Sequence, residues 1–311
     1  MKYTTAKGIK MSVFTLGTVQ LGMAYGINNI DGKPTEATAF DILNKAVKLG
    51  VNSLDTANNY GDSEAIIGKW LGIKPCEVHP MVITKIGPFD HSSYASLHAD
   101  VRRQVNESKK RLGVSQLDIL MLHNFADYEK DREALQKIFQ ELKDSGEIKF
   151  SAISAYSEHD YKDIANSGFD AVQIPLNLFD WAQIDNGGVQ KLVDAGMIIF
   201  VRSVFLQGLI FRTPESLDPR MDFCAPYLAK LHELCDEFRL SPAVLALSFP
   251  LSIKGIAAVV LGCDNSAQVE ENCRLIDQTV QLSENQLKKL HTAFMDIDYR
   301  VINPREWYNA F

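Results

Sequence analysis

The chain has no long hydrophobic run. None of its segments reaches the ~18 consecutive apolar residues that are needed to cross a bilayer, and residues 1–17 lack the apolar core of a secretory signal peptide. We therefore expect a cytoplasmic protein that does not bind membranes.

Cysteine is scarce and poorly spaced for metal binding. The five cysteines show no C-x-x-C spacing and are odd in number, which argues against a zinc cluster and against a disulfide framework. We expect no metal site, and we expect free thiols, buried or half-buried, in a reducing compartment. The cysteines are Cys76, Cys224, Cys235, Cys263 and Cys273.

Positive charge is also in deficit. The chain carries 32 Lys and Arg against 39 Asp and Glu, a net charge of −7, which disfavours a surface for nucleic acid. It lacks both a G-x-G-x-x-G fingerprint after a strand and a G-x-x-x-x-G-K-[ST] loop, so neither a Rossmann site nor a P-loop is expected. A small-molecule partner fits best, and the oligomeric state stays open.

The sequence does contain a regular alternation of apolar runs of strand length with segments of helical period, which is typical of a parallel sheet covered by helices. After a short hairpin near residues 2–11, eight strands are predicted, at residues 13–17, 51–55, 81–85, 117–123, 148–154, 171–175, 197–203 and 256–261. No low-complexity linker divides the chain. We predict an α/β fold in one domain, residues 1–311: a (β/α)8 TIM barrel with a short N-terminal hairpin and extra C-terminal helices.

Glycines mark the ends of five predicted helices. The helices at 35–49, 63–71, 94–112, 132–145 and 189–195 are each followed by a glycine, namely Gly50, Gly72, Gly113, Gly146 and Gly196. Glycine readily adopts the left-handed conformation that closes a helix. Three further helices, at 227–238, 242–251 and 284–294, are predicted to surround the barrel.

Three predicted strands end on chemically useful side chains. Asp55, Lys85 and His123 end the second, third and fourth strands, and Tyr60 follows Asp55 by five residues. Each of these residues alone is more readily explained as a cap, a turn or a packing residue. Because the carboxyl ends of parallel barrel strands meet at one mouth, we expect the four side chains to form one set.

Such a set suits carbonyl reduction. Charge develops on the carbonyl oxygen as hydride reaches the carbon, so a proton donor is needed. A tyrosine with its ordinary pKa of about 10 is a weak acid at neutral pH, and a neighbouring ammonium lowers that pKa. Lys85 would supply the ammonium and Asp55 would hold Lys85. His123 would orient the carbonyl oxygen or help to move the proton.

In this order and at these strand ends, Asp55, Tyr60, Lys85 and His123 resemble the catalytic tetrad of the aldo-keto reductase superfamily. The resemblance extends through TLGTVQLG (15–22), VQIPLN (172–177), FLQGLI (205–210) and VVLGCDNSAQVEEN (259–272). It implies an NAD(P)H-dependent oxidoreductase that reduces an aldehyde or ketone to an alcohol, with hydride from the nicotinamide and a proton from Tyr60.

The resemblance also implies a cofactor site, for NADP(H) by family tendency and with NAD(H) as the alternative. It assigns the nicotinamide to Gly17, Thr18, Asp55, Ser154 and Gln173. It assigns the rest of the cofactor to the loop after the seventh strand and to the segment 262–272, through Arg202, Ser203, Phe205, Gln207, Gly208, Gly262, Asn265, Gln268, Glu271 and Asn272. The segment SAQVEEN predicts a serine cap at a helix N-terminus, where free N–H groups attract phosphate.

Three positions depart from the family pattern. The usual Ser-Asn pair after the fifth strand reads Ser154-Ala155, and no Lys or Arg lies between Gly262 and Asn272, where NADP-preferring relatives carry a cation. Arg202 stands where the family stacks an aromatic ring on the nicotinamide. We hypothesise that Arg202 either disfavours the oxidised, cationic ring or grips an acidic group of the substrate, with a salt bridge as the structural alternative.

The mouth is expected to be walled by the loops at 87–98 and 206–224 and by the segment 296–311, because barrel specificity resides in such loops. Their aromatic and basic residues suggest a polar or anionic aldehyde such as a sugar or its phosphate, although solvated rim charges explain them equally well. These residues are His91, Tyr94, Arg212, Arg220, Arg300, Arg305, Trp307 and Tyr308. Two other classes stay open: a Schiff-base lyase that uses Lys85 as its nucleophile, and a cofactor-sensing regulatory protein of the resembled family.

Overall fold

The computed structural model describes residues 1–25, 29, 32–73, 79–156, 158–304 and 307. Its strands are β1 (Tyr3–Ala6), β2 (Ile9–Ser12), β3 (Phe14–Gly17), β4 (Ser53–Asp55), β5 (Met81–Ile86), β6 (Leu117–Leu122), β7 (Ile148–Ser154), β8 (Ala171–Pro175), β9 (Ile198–Arg202) and β10 (Ile256–Gly262). Strands β1 and β2 form an antiparallel hairpin, and the other eight close into a parallel barrel in the order β10, β3, β4, β5, β6, β7, β8, β9. The predicted (β/α)8 barrel with an N-terminal hairpin is confirmed, whereas its treatment as one domain stays a prediction.

Helices alternate with the barrel strands, and all eight predicted helices are present: those at 94–112 and 284–294 have the predicted ends, and the others have slightly shifted ends. The α-helices of the described residues are α1 (Val19–Gly22), α2 (Glu36–Lys48), α3 (Ser63–Ile73), α4 (Tyr94–Leu112), α5 (Phe125–Lys130), α6 (Arg132–Asp144), α7 (Tyr161–Ala165), α8 (Ala182–Asp185), α9 (Gly188–Asp194), α10 (Ala225–Phe238), α11 (Pro242–Ser252), α12 (Ser266–Gln278), α13 (Glu284–Phe294) and α14 (Tyr299–Ile302). Short 3-10 segments occupy Leu206–Phe211, Pro214–Ser216 and Pro219–Cys224.

Local chemistry explains where the long helices begin and end. Helix α4 begins at a reciprocal cap between Ser93 and Ser96 and ends at Gly113, whose φ of 70° is left-handed. Gly72 differs from the expectation, because α3 continues through it to Ile73. The prediction that Gly72 ends a helix is therefore wrong, and the exposed end of α3 simply accommodates it as a helical residue.

Two apolar clusters stabilise the barrel. The larger one lies between the strands and the surrounding helices. The smaller one fills the interior of the barrel, where Met11 from the hairpin packs with Ile83, Ile119 and Phe200 from the strands. Burial of these side chains supplies the main favourable free energy of folding, and the hairpin contributes Met11 to the barrel interior.

The described thiols and helices bear on two expectations from the sequence. Cys224, Cys235, Cys263 and Cys273 are free and buried, and Cys76 lies outside the described residues. Among the described helices, none combines the length and the apolar character that spanning a membrane requires.

Candidate active site

A buried ion pair lies at the carboxyl ends of two neighbouring strands. Lys85 Nζ donates to Asp55 Oδ2 at 2.7 Å and to the carbonyl oxygen of Thr56 at 3.0 Å. Burial by itself would lower the Lys85 pKa, but the charge of Asp55 and the phenol of Tyr60 outweigh it and raise that pKa. Lys85 therefore carries a positive charge at neutral pH.

Tyr60 lies against this ammonium. Its Oη is 3.5 Å from Lys85 Nζ, and the same nitrogen is 4.9 Å from the centroid of the Tyr60 ring. The phenol is thus in contact with a positive charge that can stabilise a phenolate.

Close backbone packing fixes the loop that carries Tyr60. A Cβ on Gly22 would lie 1.7 Å from the Tyr60 carbonyl oxygen, and a Cβ on Gly61 would lie 2.3 Å from the Gly22 carbonyl oxygen. Only glycines allow the two backbones to approach this closely. This contact was not predicted from the sequence, although Gly22 stands inside the segment 15–22 and Gly61 directly follows Tyr60.

His123 completes the predicted set of four. Its ring lies 5.6 Å from the Tyr60 ring, centroid to centroid, at an interplanar angle of 81°. Burial, together with the nearby charges of Lys85 and Arg202, lowers the pKa of His123 to about 3. The imidazole is therefore neutral at neutral pH and can donate or accept a hydrogen bond there.

Two further predicted residues hold Asp55 in place. Gln173 Nε2, from the far side of the barrel, donates to Asp55 Oδ1 at 2.8 Å. The backbone N–H and the hydroxyl of Thr18 both donate to the Asp55 carbonyl oxygen at 2.9 Å. Lys85 from β5 and Gln173 from β8 thus hold the Asp55 carboxylate, and Thr18, the residue after β3, holds its backbone.

A cavity of about 700 Å³ opens above this set, within the range of roughly 300–1,000 Å³ that is usual for ligand sites. Tyr60 and Asp55 line it, His123 is not part of its wall, and Lys85 lies underneath as a fully buried side chain. Most of the residues assigned to the cofactor also line it: Gly17, Thr18, Gln173, Arg202, Ser203, Phe205, Gln207, Gly208, Gly262, Gln268, Glu271 and Asn272. Ser154 is buried at the end of β7 beside Gln173, and Asn265 caps α12; neither is part of the cavity wall.

The cap of α12 differs from the prediction. The Asn265 side chain accepts a hydrogen bond from the Gln268 N–H at 3.0 Å, and Ser266 is the first residue of the helix. Asparagine is as good a cap as serine, and Asn265 has the extended backbone that the cap position needs. The helix N-terminus is thus present, but the serine assigned to cap it does not do so.

The loop after β9 contains strained backbone. Ser203, Leu206 and Gln207 adopt left-handed φ values of 62°, 44° and 52°. Such conformations cost on the order of 1–3 kcal/mol each for residues other than glycine, and they cluster at functional sites. All three residues line the cavity, so the strain lies where a ligand would bind.

Arg202 has no partner of opposite charge among the described residues. Its Nη2 donates to the Ala155 carbonyl oxygen at 2.9 Å, its Nη1 contacts Ser203 Oγ at 3.3 Å, and its Cζ lies 4.3 Å from the centroid of the Tyr156 ring. The salt bridge that was the structural alternative for Arg202 is therefore not formed by any described carboxylate.

The predicted wall of basic and aromatic side chains is only partly correct. The loop after β9 contributes Phe211, and the C-terminal segment contributes Tyr299 and Ile302. The described side chains named for this wall do not line the cavity: His91 contacts Asp131, Arg220 and Arg300 pair with neighbouring aspartates, Trp307 is buried, and Tyr94 and Arg212 face solvent. Arg305 and Tyr308 lie outside the described residues.

Several cavity residues were missed by the sequence analysis. Gln20, Tyr25, Tyr156, Glu158 and Asp264 line the cavity. The signal for Gln20, Tyr156 and Asp264 was available, because each follows the carboxyl end of a predicted strand within three residues. The position of Tyr25 depends on a loop conformation that the sequence pattern does not encode.

The barrel, the strand-end set and the cavity define an oxidoreductase of a known class. Residues 14–293 match the Aldo/keto reductase family, and the chain belongs to this family. Membership supports carbonyl reduction with a nicotinamide cofactor and a small-molecule substrate in general terms.

Individual relatives are distant. The chain is 26% identical over 298 residues to L-galactose dehydrogenase of Arabidopsis thaliana, covering 90% of this chain and 88% of that protein. It is 25% identical over 300 residues to an NADH-specific methylglyoxal reductase of Escherichia coli (strain K12), covering 85% of this chain and 89% of that protein.

A solved structure shares the fold. An aldo-keto reductase from Bacillus halodurans in its holo form matches with a TM-score of 0.75 and 20% identity, over 97% of this chain and 100% of that chain. At this identity the similarity establishes the architecture only.

Proposed function

We propose that this protein reduces an aldehyde or ketone to an alcohol with NAD(P)H, and that Tyr60 is the proton donor. The observation that carries the proposal is the position of the Tyr60 hydroxyl, 3.5 Å from the buried Lys85 ammonium and on the wall of a cavity of about 700 Å³. A proton donor backed by a cation inside a ligand-sized cavity is what the reduction of a carbonyl requires.

The cavity fits a dinucleotide in two further respects. Gln20 Oε1 is buried on the wall and has no hydrogen-bond partner among the described residues, so it offers an acceptor to a ligand hydroxyl. Gly262 lies beside it, and a Cβ there would come within 2.3 Å of the Gln20 side chain. When bound, the reduced nicotinamide would supply the hydride, since no side chain can do so.

Each member of the set has a separate task. Tyr60 gives its proton to the carbonyl oxygen as negative charge develops there, and the Lys85 ammonium stabilises the phenolate that remains. Asp55 holds Lys85 charged and in place. Gln173 and Thr18 keep the Asp55 carboxylate and backbone from moving.

His123 is assigned to orientation. Because its pKa is lowered to about 3, the imidazole is neutral at neutral pH and has no acidic proton to give. Its place beside the Tyr60 ring suits a hydrogen bond to the substrate oxygen. Of the two roles expected for His123, orientation therefore fits better than proton transfer.

The Schiff-base alternative is not favoured by these contacts. A nucleophilic lysine needs a lowered pKa, so that its amine is free. Burial opposes the charge on Lys85, yet Asp55 and Tyr60 raise its pKa overall, and its side chain is fully buried. Both features oppose attack on a carbonyl carbon.

The charges at one end of the cavity favour NAD(H) over NADP(H), the reverse of the order suggested by family tendency. Asp264 lines the cavity, is half-buried, and forms no salt bridge among the described residues. Glu271 also lines it, and its carboxylate is paired with the exposed Arg274. If this end receives the adenosine, as the family pattern implies, Asp264 would repel a 2′-phosphate. The relative from Escherichia coli named as NADH-specific agrees with this choice.

Substitution of the proton donor tests the function. We expect Tyr60→Phe to reduce turnover of an aldehyde panel by several orders of magnitude, because only the proton donor is removed, while the affinity for reduced cofactor survives. Turnover is followed by absorbance at 340 nm and affinity by fluorescence titration. Undiminished turnover in Tyr60→Phe would disprove the assignment, and oxidation of bound cofactor for a single turnover only in the wild type would favour the regulatory alternative.

The same titration decides the cofactor. We expect NADH to bind more tightly than NADPH, and Asp264→Ser to improve NADPH binding selectively because it removes the negative charge. Glu215→Gln, on an exposed carboxylate outside the cavity wall, is the matched control and should leave both affinities unchanged. Tighter binding of NADPH than of NADH by the wild-type protein would contradict this choice and support NADP(H), as the family tendency suggests.

A further inference from the structure

Two departures from the family pattern touch each other in this structure. Arg202 Nη2 donates to the carbonyl oxygen of Ala155 at 2.9 Å, so the guanidinium reaches from the end of β9 across the end of β8 to the residue after β7. The face of the Tyr156 ring lies against the same guanidinium, with 4.3 Å between Arg202 Cζ and the ring centroid. These contacts hold the guanidinium on the cavity wall in a defined orientation.

In that orientation the guanidinium still has N–H groups that can donate hydrogen bonds to a ligand. The Ala155 carbonyl and the Ser203 hydroxyl occupy some of its N–H groups, and the others are not engaged by any described residue. Arg202 is half-buried and is not paired with any described carboxylate. A positive charge held in this way favours a bidentate contact with a carboxylate or a phosphate.

The charge balance around Tyr60 supports an anionic ligand. Lys85 and Asp55 neutralise each other at 2.7 Å, and His123 carries no charge at neutral pH. Glu158 also lies on the cavity wall, but its side chain is exposed, so solvent and salt screen its charge. Arg202 is half-buried, so its positive charge is the less screened of the two.

We infer that Arg202, held by Ala155 and Tyr156, is the subsite for a carboxylate or phosphate group of the carbonyl substrate. The preferred substrates are thus aldehydes or ketones that carry an acidic group, and Arg202 is a residue that determines specificity. That the anionic group belongs to a carbonyl substrate rests on the proposed reductase function. That Arg202 binds an anion does not.

The test compares matched substrates that differ in charge. Succinic semialdehyde is anionic and butanal is neutral, and the two have the same chain length. Glyceraldehyde 3-phosphate is anionic and glyceraldehyde is neutral, and the two share a carbon skeleton. We expect Arg202→Gln to lower kcat/KM for the preferred anionic member by about 10- to 100-fold, the usual effect of losing a charge-assisted hydrogen bond. The neutral member should lose much less than the anionic member, and thermal unfolding of Arg202→Gln shows independently that the variant is folded.

Two further variants sharpen the comparison. Arg202→Lys keeps the charge but loses the planar fork, so its selectivity should lie between those of the wild type and Arg202→Gln. Arg212→Gln removes an exposed arginine of the same loop that does not line the cavity, and it should leave the selectivity unchanged.

A binding measurement separates this inference from the proposed function. Butyrate and inorganic phosphate are titrated calorimetrically into the chain, with and without NADH, and at least one should bind the wild type more tightly than Arg202→Gln. If no carbonyl compound is turned over but this difference is found, the anion subsite stands while the reductase function fails.

Three outcomes overturn the inference. Equal losses for charged and neutral substrates would show that Arg202 serves the fold or a shared step. Equal weakening of NADH and ADP-ribose binding would assign the guanidinium to the cofactor pyrophosphate. A change confined to the ratio of oxidised to reduced cofactor affinity would assign it to the nicotinamide ring.

Discussion

At the scale of single residues, the site is built around a charge pair that is removed from water. The Lys85 and Asp55 side chains are 1% and 5% exposed, and their atoms are 2.7 Å apart. The desolvation cost of such a pair offsets much of its attraction, so we attribute the pair to the proposed role of Lys85 beside Tyr60 rather than to stability.

A double-mutant cycle tests this view. Lys85→Met and Asp55→Asn should each lower the free energy of unfolding by about 3–5 kcal/mol, because each leaves a buried group without its partner. The double variant should be less destabilised than the sum of the two single variants, by roughly 0.5–3 kcal/mol. Urea denaturation measures the free energy of unfolding of the wild type, both single variants and the double variant.

An exposed ion pair provides the matched control. Glu233→Gln breaks the surface contact with Lys230, whose side chain is 48% exposed, and should change stability by less than about 1 kcal/mol. Strict additivity of Lys85→Met and Asp55→Asn would mean that the two side chains are not coupled.

At the scale of elements, the sequence predicted the strands well because their side chains are buried on both faces and read as apolar runs. The predicted strand ends were less accurate. Strand β4 is only Ser53–Asp55, and His123 lies just beyond the end of β6. The backbone contact between Gly22 and the Tyr60 loop was not predictable, since it joins two connections that are distant in sequence.

That contact gives a prediction about positioning. Gly22→Ala should lower turnover by about 100-fold, because its Cβ would meet the Tyr60 carbonyl oxygen and displace the loop that carries the phenol. It should also lower the free energy of unfolding by about 1–3 kcal/mol, as overpacking does. Steady-state kinetics and thermal unfolding measure the two effects.

Gly72→Ala is the control for this substitution. Gly72 lies in α3, and a Cβ on it would meet no atom within 4 Å, so alanine should stabilise the helix by roughly 0.5–1 kcal/mol and leave turnover unchanged. Equal turnover in Gly22→Ala and Gly72→Ala would show that the loop tolerates displacement.

At the scale of the whole molecule, closure of the barrel creates the low-polarity environment that sets the ionisation of His123. Burial comes first among the causes of its lowered pKa, and burial exists only when eight strands and their helices are assembled. Unfolding returns the imidazole to water, where its pKa is about 6.5. Acid stability of the entire fold is therefore linked to this side chain.

The sign of this linkage follows from proton uptake. Between pH 6.5 and about 3 the unfolded chain protonates His123 and the folded chain does not, so stability falls as the pH falls through this window. From pH 6.5 to 4.5, the wild type should lose about 2 kcal/mol of unfolding free energy relative to His123→Gln. Urea denaturation at several pH values measures the difference.

A constant difference between the wild type and His123→Gln across this pH range would mean that His123 titrates alike in the folded and unfolded chains.

The sequence by itself determined the alternation of strands and helices and the order of reactive residues at strand ends. Both depend on neighbours in the chain, through hydrophobic periodicity and helix capping, and parallel topology then requires strand ends to meet. The tertiary structure alone decided which side chains touch: Gln173 with Asp55 across 118 residues, and Arg202 with Ala155. Such contacts depend on barrel register and on the packing of loops from separate strands, which no local pattern encodes.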